Sequence, residues 1–180
     1  MANKIQSIKG FYDVAPDIQK IWRFFESSCL SIFDQYGFEE IGLPIIEATD
    51  LFEAGVGTHT DIVEKEMYSW VDKLNDDKLT LRPEGTAGCV RAVVQGSLTY
   101  NGPIKLFYRG AMFRHENVQK GRQRQFHQLG IESFGLTDPS SDAEQIIMLN
   151  RLWKALGLEK KIHLEINSIG DAADREKYRD

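Results

Sequence analysis

Residues 106–135, LFYRGAMFRHENVQKGRQRQFHQLGIESFG, constrain the fold more than any other stretch of this chain. They read as two β-strands joined by a basic, glycine-containing loop. Side chains alternate along a strand with period two. On the second strand Leu129 and Ile131 share one face, and Gln128 and Glu132 share the other with Phe126 and Phe134. On the first, Phe107, Ala111 and Phe113 fall on one face, with Arg114 and Glu116 on the opposite one. The pattern predicts one apolar face and one face carrying an arginine, two carboxylates and an amide. If the apolar faces share a core, the charged ones converge on one cleft. A solvated polar face is ordinary in antiparallel sheets. Here phenylalanines sit between the polar groups, an arrangement suited to a flat, charged ligand such as a nucleotide.

The loop adds Lys120, Arg122 and Arg124. With Arg109 and Arg114, residues 109–124 hold five positive charges against Glu116 alone, a net +4 in a chain whose total is −5. An acidic protein with one basic loop does not coat nucleic acid through bulk charge. Such a loop can steer phosphates to one place.

The remaining segments predict an α+β order. Residues 17–36 place Ile18, Ile21, Trp22, Phe25, Cys29, Ile32 and Phe33 at helical spacing, with Gly37 as the stop. Residues 38–43 read as a short strand that Pro44 ends or places at an edge. Residues 66–70 and 78–82 read as a hairpin around Asn75, Asp76 and Asp77. Gly85 and Thr86 open a helix whose Val90, Val93 and Val94 are expected to face the core. Pro139 and Ser140 start a helix running to Leu156 and stopping at Gly157. Ile162, Leu164 and Ile166 alternate with His163 and Glu165 in an expected last strand. Antiparallel strands with interspersed helices do not make a Rossmann chain.

Several classes are excluded or disfavoured. No stretch approaches the ~18–20 apolar residues of a membrane span, and residues 1–30 show no secretory h-region. Cys29 and Cys89 form no CxxC and join no zinc-spaced cluster, which suits a reduced, cytoplasmic setting. There is no GxxxxGK[ST] and no GxGxxG. His115 and His127 fall on the faces opposite Arg114 and Gln128, so packing is expected of them. His163 is expected to face outward, and His59 lies in GVGTHTD, a loop that can cover the cleft.

Residues 113–116, FRHE, with the basic loop and RQFHQLGIESFG after them, resemble the second signature motif of class II aminoacyl-tRNA synthetases, in the form found in histidyl-tRNA synthetases. LTLRPEGTAGC, residues 79–89, resembles that family's amino-acid-binding segment. GFEEIGLPIIEATDLFE, residues 37–53, resembles motif 1, the dimer-interface helix and strand. The opening SIKGFYDVAPD and the later LEINSIGD fit as well. The likeness runs over almost all 180 residues.

The resemblance implies a class II catalytic core, an antiparallel sheet flanked by helices. Over residues 1–180 motifs 1 and 2 are present, while a third motif and an anticodon-binding domain do not follow. DAADREKYRD reads as the first turns of a charged helix. The chain is accordingly expected to be a truncated catalytic domain with little or no ligase activity alone. The implied activity is histidine–tRNA ligation, with L-histidine, ATP and tRNA(His) as substrates, Mg2+ alongside ATP, and a homodimer through motif 1. Arg114 would grip the α-phosphate, Glu116 read the adenine amino group, Phe126 stack on the ring, and Arg122 reach the terminal phosphates. Glu84, Gly85 and Thr86 would hold the α-amino group, with Gln128 and Glu132 facing the substrate. Gln119, Lys120, Arg122 and Arg124 would meet the acceptor stem. Metal ligands are not identifiable. Two rival readings are the regulatory paralogue that partners ATP phosphoribosyltransferase, and a non-catalytic RNA-binding domain.

Overall fold

The computed structural model describes residues 5–56, 66–167 and 170. Gly55 and Val56 of GVGTHTD belong to the helix Thr49–Val56, while the rest of that loop around His59 and the helix expected after residue 170 lie outside the described residues.

Helix α1 (Pro16–Gln35) starts where the ring of Pro16 presets the backbone, and Asp17 meets the positive end of its dipole. Gly37, at φ +73°, ends it. Strand β1 (Glu39–Glu40) follows, then β2 (Ile46–Ala48), α2 (Thr49–Val56), β3 (Tyr68–Val71) and β4 (Lys78–Leu81). Helix α3 (Thr86–Gln95) leads to the long strands β5 (Ile104–Phe113) and β6 (Gln125–Phe134), and α4 (Pro139–Ala155) closes the regular structure. Asp138 caps α4, its carboxylate accepting from the Ser140 amide at 2.8 Å.

Two sheets form, with orders β1-β5-β6 and β2-β4-β3. β5 and β6 are antiparallel in continuous register from Ile104↔Phe134 to Phe113↔Gln125, and β1 adds a parallel edge to β5. The expected strand over 38–43 is thus only two residues long, because Gly42 and Pro44 leave little chain that can pair. The hairpin β3–β4 forms as expected, with Asp76 at φ +60° in its turn.

The expectation of one apolar and one charged face on β5–β6 is corrected. Register places Phe107 and Ile131 on one side, where they pack with Cys29, Phe33, Phe38, Met148 and Leu152 of a core closed by α1 and α4. Leu106, Tyr108 and Met112 share the other side with Gln128, Glu132, Phe126 and Phe134, and there α3 supplies Cys89 and Val93. Both faces are apolar, and the polar groups occupy part of the second.

Three further expectations fail in instructive ways. Val93 is buried, but Val90 and Val94 face outward because the helix turns them 100° per residue away from the sheet. Ile18 and Ile21 are likewise exposed on α1. Residues 162–166 form no strand. Alternation gives a strand two faces but not a partner, and Ile162 and Leu164 instead line a groove with Ile146 and Trp153 of α4.

Arg82 ties the two sheets together. Its amide donates to Ile45 O, its carbonyl accepts from Phe113 N, and its guanidinium donates to Ala111 O at 2.9 Å, Leu43 O at 2.9 Å and Pro44 O at 3.3 Å. Burial pulls this guanidinium below its ordinary range, partly offset by nearby Glu47 and Tyr108. Gly110 stands at φ +146° opposite the guanidinium, where a Cβ would collide with it.

Candidate ligand cleft

The candidate cleft face is the α3 side of β5–β6, with Arg114 and Phe126 at the end from which the basic loop springs and Glu132 toward the other end. Glu84 is fixed at the start of α3, its carboxylate accepting from the Thr86 amide and, at 2.9 Å, from the Ala87 amide. These donors are otherwise orphaned at a helix N-terminus. Each carboxylate oxygen keeps a second lone pair for another donor. Arg114 lies one residue past β5. Its Nε donates to Pro83 O at 2.9 Å, and its guanidinium sits 5.1 Å from the centre of the Phe126 ring. Phe126 shares its face with Gln128 and Glu132. Arg114 and Glu132 are therefore on the same side of the sheet.

Gln128 is the informative member of this group. Its Oε1 is buried without a hydrogen-bond partner among the described residues. Leaving a buried acceptor unpaired costs ~1–3 kcal/mol, so the position favours a ligand that brings a donor. Glu84 and Glu132, from different elements, act electrostatically on the same two buried groups, Tyr108 and Cys89. Two carboxylates and an unsatisfied amide oxygen suit a cationic, hydrogen-bond-donating ligand.

The basic loop divides into neck and tip. At the neck Arg114 N donates to Arg124 O, and the Gly10 carbonyl accepts from the amides of Arg124 at 3.0 Å and Gln125 at 3.1 Å. Gly10 is at φ +90° with the Arg124 stem against it, so only glycine fits. Arg124 Nε donates to Glu116 O at 3.2 Å. At the tip Gln119 and Arg122 exchange backbone hydrogen bonds around Lys120 and Gly121, whose φ of +81° suits a tight turn. Gln119, Lys120 and Arg122 are exposed, and Arg122 Nη1 lies 3.4 Å from Glu116 Oε2.

Not all of the expected charge joins this region. Arg109 points to the other face and pairs with Glu40 at 2.9 Å and Glu26 at 3.9 Å. His115 packs on Tyr68 and His127 on Trp22, as their strand positions suggest. Sequence reasoning missed Arg82 and Tyr108. The only available signal was a charged or hydroxylated residue inside an otherwise apolar run.

A family model for histidyl-tRNA synthetase matches residues 10–170. The chain belongs to the histidyl-tRNA synthetase family. It is 64% identical, over 99% of its own length and 43% of the relative's, to the histidine–tRNA ligase of Methylobacillus flagellatus. It is 51% identical to that of Marinomonas sp., over 99% of this chain and 42% of the relative. The apo histidyl-tRNA synthetase of S. aureus superposes with a TM-score of 0.78 at 38% identity, over 97% of this chain and 40% of that one. The chain therefore spans less than half the length of the curated relatives it matches. Its α+β architecture is that of the class II synthetases of this family.

The buried titratable groups of the two cores make a pH prediction. Burial pushes the thiols of Cys29 and Cys89 up to about 11, aided by Glu26 at the first and by Glu132 and Glu84 at the second. Burial also lifts the Tyr108 phenol to about 12, against the Thr86 hydrogen bond and with Glu132 and Glu84. These folded values exceed the ordinary 9.0 and 10.0, so their stabilising contribution is full below pH 9 and is lost as pH rises through 11 and 12. The urea midpoint is expected to fall steadily above pH 9. At pH 8 neither cysteine of the folded chain should react with iodoacetamide, and both should react in urea. Rapid labelling without denaturant would contradict this burial.

Proposed function

We propose that this chain supplies the ATP- and histidine-binding part of a histidine–tRNA ligase. In this reaction the histidine carboxylate attacks the α-phosphorus of ATP, the bond to pyrophosphate breaks, and histidyl-adenylate forms. A ribose hydroxyl of tRNA(His) then takes the histidyl group and AMP leaves. The observation that carries the histidine part is the buried, partnerless Gln128 Oε1, on the same face of β6 as Glu132. An α-ammonium and an imidazole together offer the donors this set accepts. Glu84, Gly85 and Thr86 are assigned to the amino group, and Gln128 and Glu132 to the rest of the amino acid.

The nucleotide part rests on Arg114. Its Nε is anchored on Pro83 O, which leaves its other N–H groups for the α-phosphate. A donor already aimed at growing charge stabilises a transition state by ~3–4 kcal/mol. The carboxylate nucleophile needs no general base, so the chemistry is placement and charge stabilisation. Phe126 is assigned to adenine stacking, which requires Arg114 to yield or share that ring. Glu116 is assigned to the adenine amino group and Arg122 to the terminal phosphates. Gln119, Lys120 and Arg122 at the exposed tip, with Arg124 at the neck, are assigned to the tRNA acceptor stem, where phosphate contacts position and base contacts specify.

Among the described residues no three His, Cys, Asp or Glu side chains are grouped to hold a metal. Mg2+ generally enters such sites with phosphates and water rather than in a protein cage, and no step here is routed through it. Among the described residues no helix is long and apolar enough to cross a membrane, and a cytoplasmic homodimer joined through residues 37–53 completes the reading.

Calorimetry on the 180-residue chain tests it, with L-histidine and a non-hydrolysable ATP analogue as titrants. Both are expected to bind. Glu132→Gln should weaken histidine by about tenfold or more and leave the nucleotide unchanged, because it removes a charged acceptor worth ~1.5–3 kcal/mol. Arg114→Ala should weaken mainly the nucleotide. A wild-type chain that binds neither ligand would favour a plain RNA-binding domain.

A further inference from the structure

Tyr108 lies on the cleft face of β5, only 2% exposed, opposite Gly130 of β6. Over it passes the turn into α3, where Gly85 faces the same ring. A Cβ added at either glycine would run into the phenol, through its ring carbons at Gly85 and through Cζ and the hydroxyl oxygen at Gly130. The ring therefore fills the gap between the α3 turn and the sheet. Its hydroxyl lies 3.3 Å from Thr86 Oγ1. One side chain thus touches both the segment that carries Glu84 and Thr86 and the strand that carries Gln128 and Glu132.

We propose that Tyr108 is a positioning residue that sets the spacing between the Glu84–Thr86 turn and β6, and with it the width of the cleft. The identity of the ligand rests on the reading given under Proposed function, while the spacing does not. Glycine at 85 and 130 lets the backbones approach the ring directly. An aromatic spacer between two backbones is stiff, having two side-chain torsions and a closely packed interior around it. A shorter side chain would let the turn settle toward the sheet or rock above it.

The test combines amide hydrogen exchange on the ligand-free chain with histidine calorimetry, in wild type, Tyr108→Phe and Tyr108→Leu. In Tyr108→Leu the Thr86 and Ala87 amides, held by the Glu84 carboxylate, are expected to exchange about tenfold faster, while α1 amides keep their protection. Tyr108→Phe keeps the ring and should change that exchange little, but should weaken histidine by about threefold through loss of the contact to Thr86. Unchanged exchange at Thr86 and Ala87 in the leucine variant would overturn the proposal. So would a uniform rise across α1 and α3, which is what an ordinary core residue would give. Tyr108→Met, a flexible filler of similar reach, reads the same amides if the leucine variant does not fold. Local loosening in a chain whose wild type does not bind histidine would leave the spacing role standing and remove the ligand assignment instead.

Discussion

Arg82→Met is expected to lower the unfolding free energy by ~3–5 kcal/mol, because it strips three carbonyls of a charged donor and each buried acceptor left unpaired costs ~1–3 kcal/mol. Methionine preserves much of the side-chain volume, so the loss isolates the hydrogen bonds. The carbonyls of Leu43, Pro44 and Ala111 would be left without the guanidinium. Those carbonyls belong to the segment before β2 and to β5, so the contact between the two sheets should loosen first. Arg82→Lys should recover little, because a single ammonium does not reproduce the planar fork of donors. Urea titration by circular dichroism measures both variants. A midpoint for Arg82→Met close to wild type would show that the tie between the sheets is carried elsewhere.

Gly130→Ala is expected to lose ~1–3 kcal/mol, toward the upper end, through overpacking. The backbone at Gly130 is ordinary for any residue, so the effect is purely steric, with the added methyl meeting the Tyr108 ring and hydroxyl. Gly42→Ala is the control. It opens on empty space and should change stability by less than ~0.5 kcal/mol. The pair Gly130→Ala with Tyr108→Leu should be less destabilised than the sum of its parts, since the second change removes the atoms the first collides with. Additive losses would mean that the ring moves aside and that the gap it fills is not fixed.

The long hairpin was legible because alternation, a glycine-bearing loop and flanking aromatic residues coincide over residues 106–135. The starts and stops of α1 and α4 were legible from Pro16, Gly37, Pro139 and Gly157, whose backbone preferences act locally. What alternation does not reveal is how many faces are covered. A strand buried on both sides reads as a nearly continuous apolar run, and LFYRGAMF does so. The alternation therefore predicts a charged face lining a cleft where the structure has a second core under α3. Hydrophobicity alone points Val90 and Val94 inward, although only one stripe of a ten-residue helix meets the sheet.

For the cleft, the strand pattern puts Phe126, Gln128 and Glu132 on one face, as the register has them, and Arg114 stacks on Phe126 at the loop end of that face. Charge counting was less informative. Arg109 is spent on Glu40 and Glu26 across the sheet, and Arg124 is held at the neck by Gly10 and Glu116. Neither pairing has a local sequence signal, because both partners come from distant parts of the chain. Arg82 was invisible for a related reason. A buried arginine is recognisable only when the carbonyls around it are known.

The way the Gly10 carbonyl clasps the Arg124 and Gln125 amides separates two properties that could have been linked. Everything beyond that clasp projects from a fixed base, while Arg114 and Phe126 lie at or inside it. Residues added between Gln119 and Arg122 would extend the arm without shifting the register of β5 against β6. Reach and grip can therefore diverge independently among descendants of this chain, one by insertion and the other only by substitution.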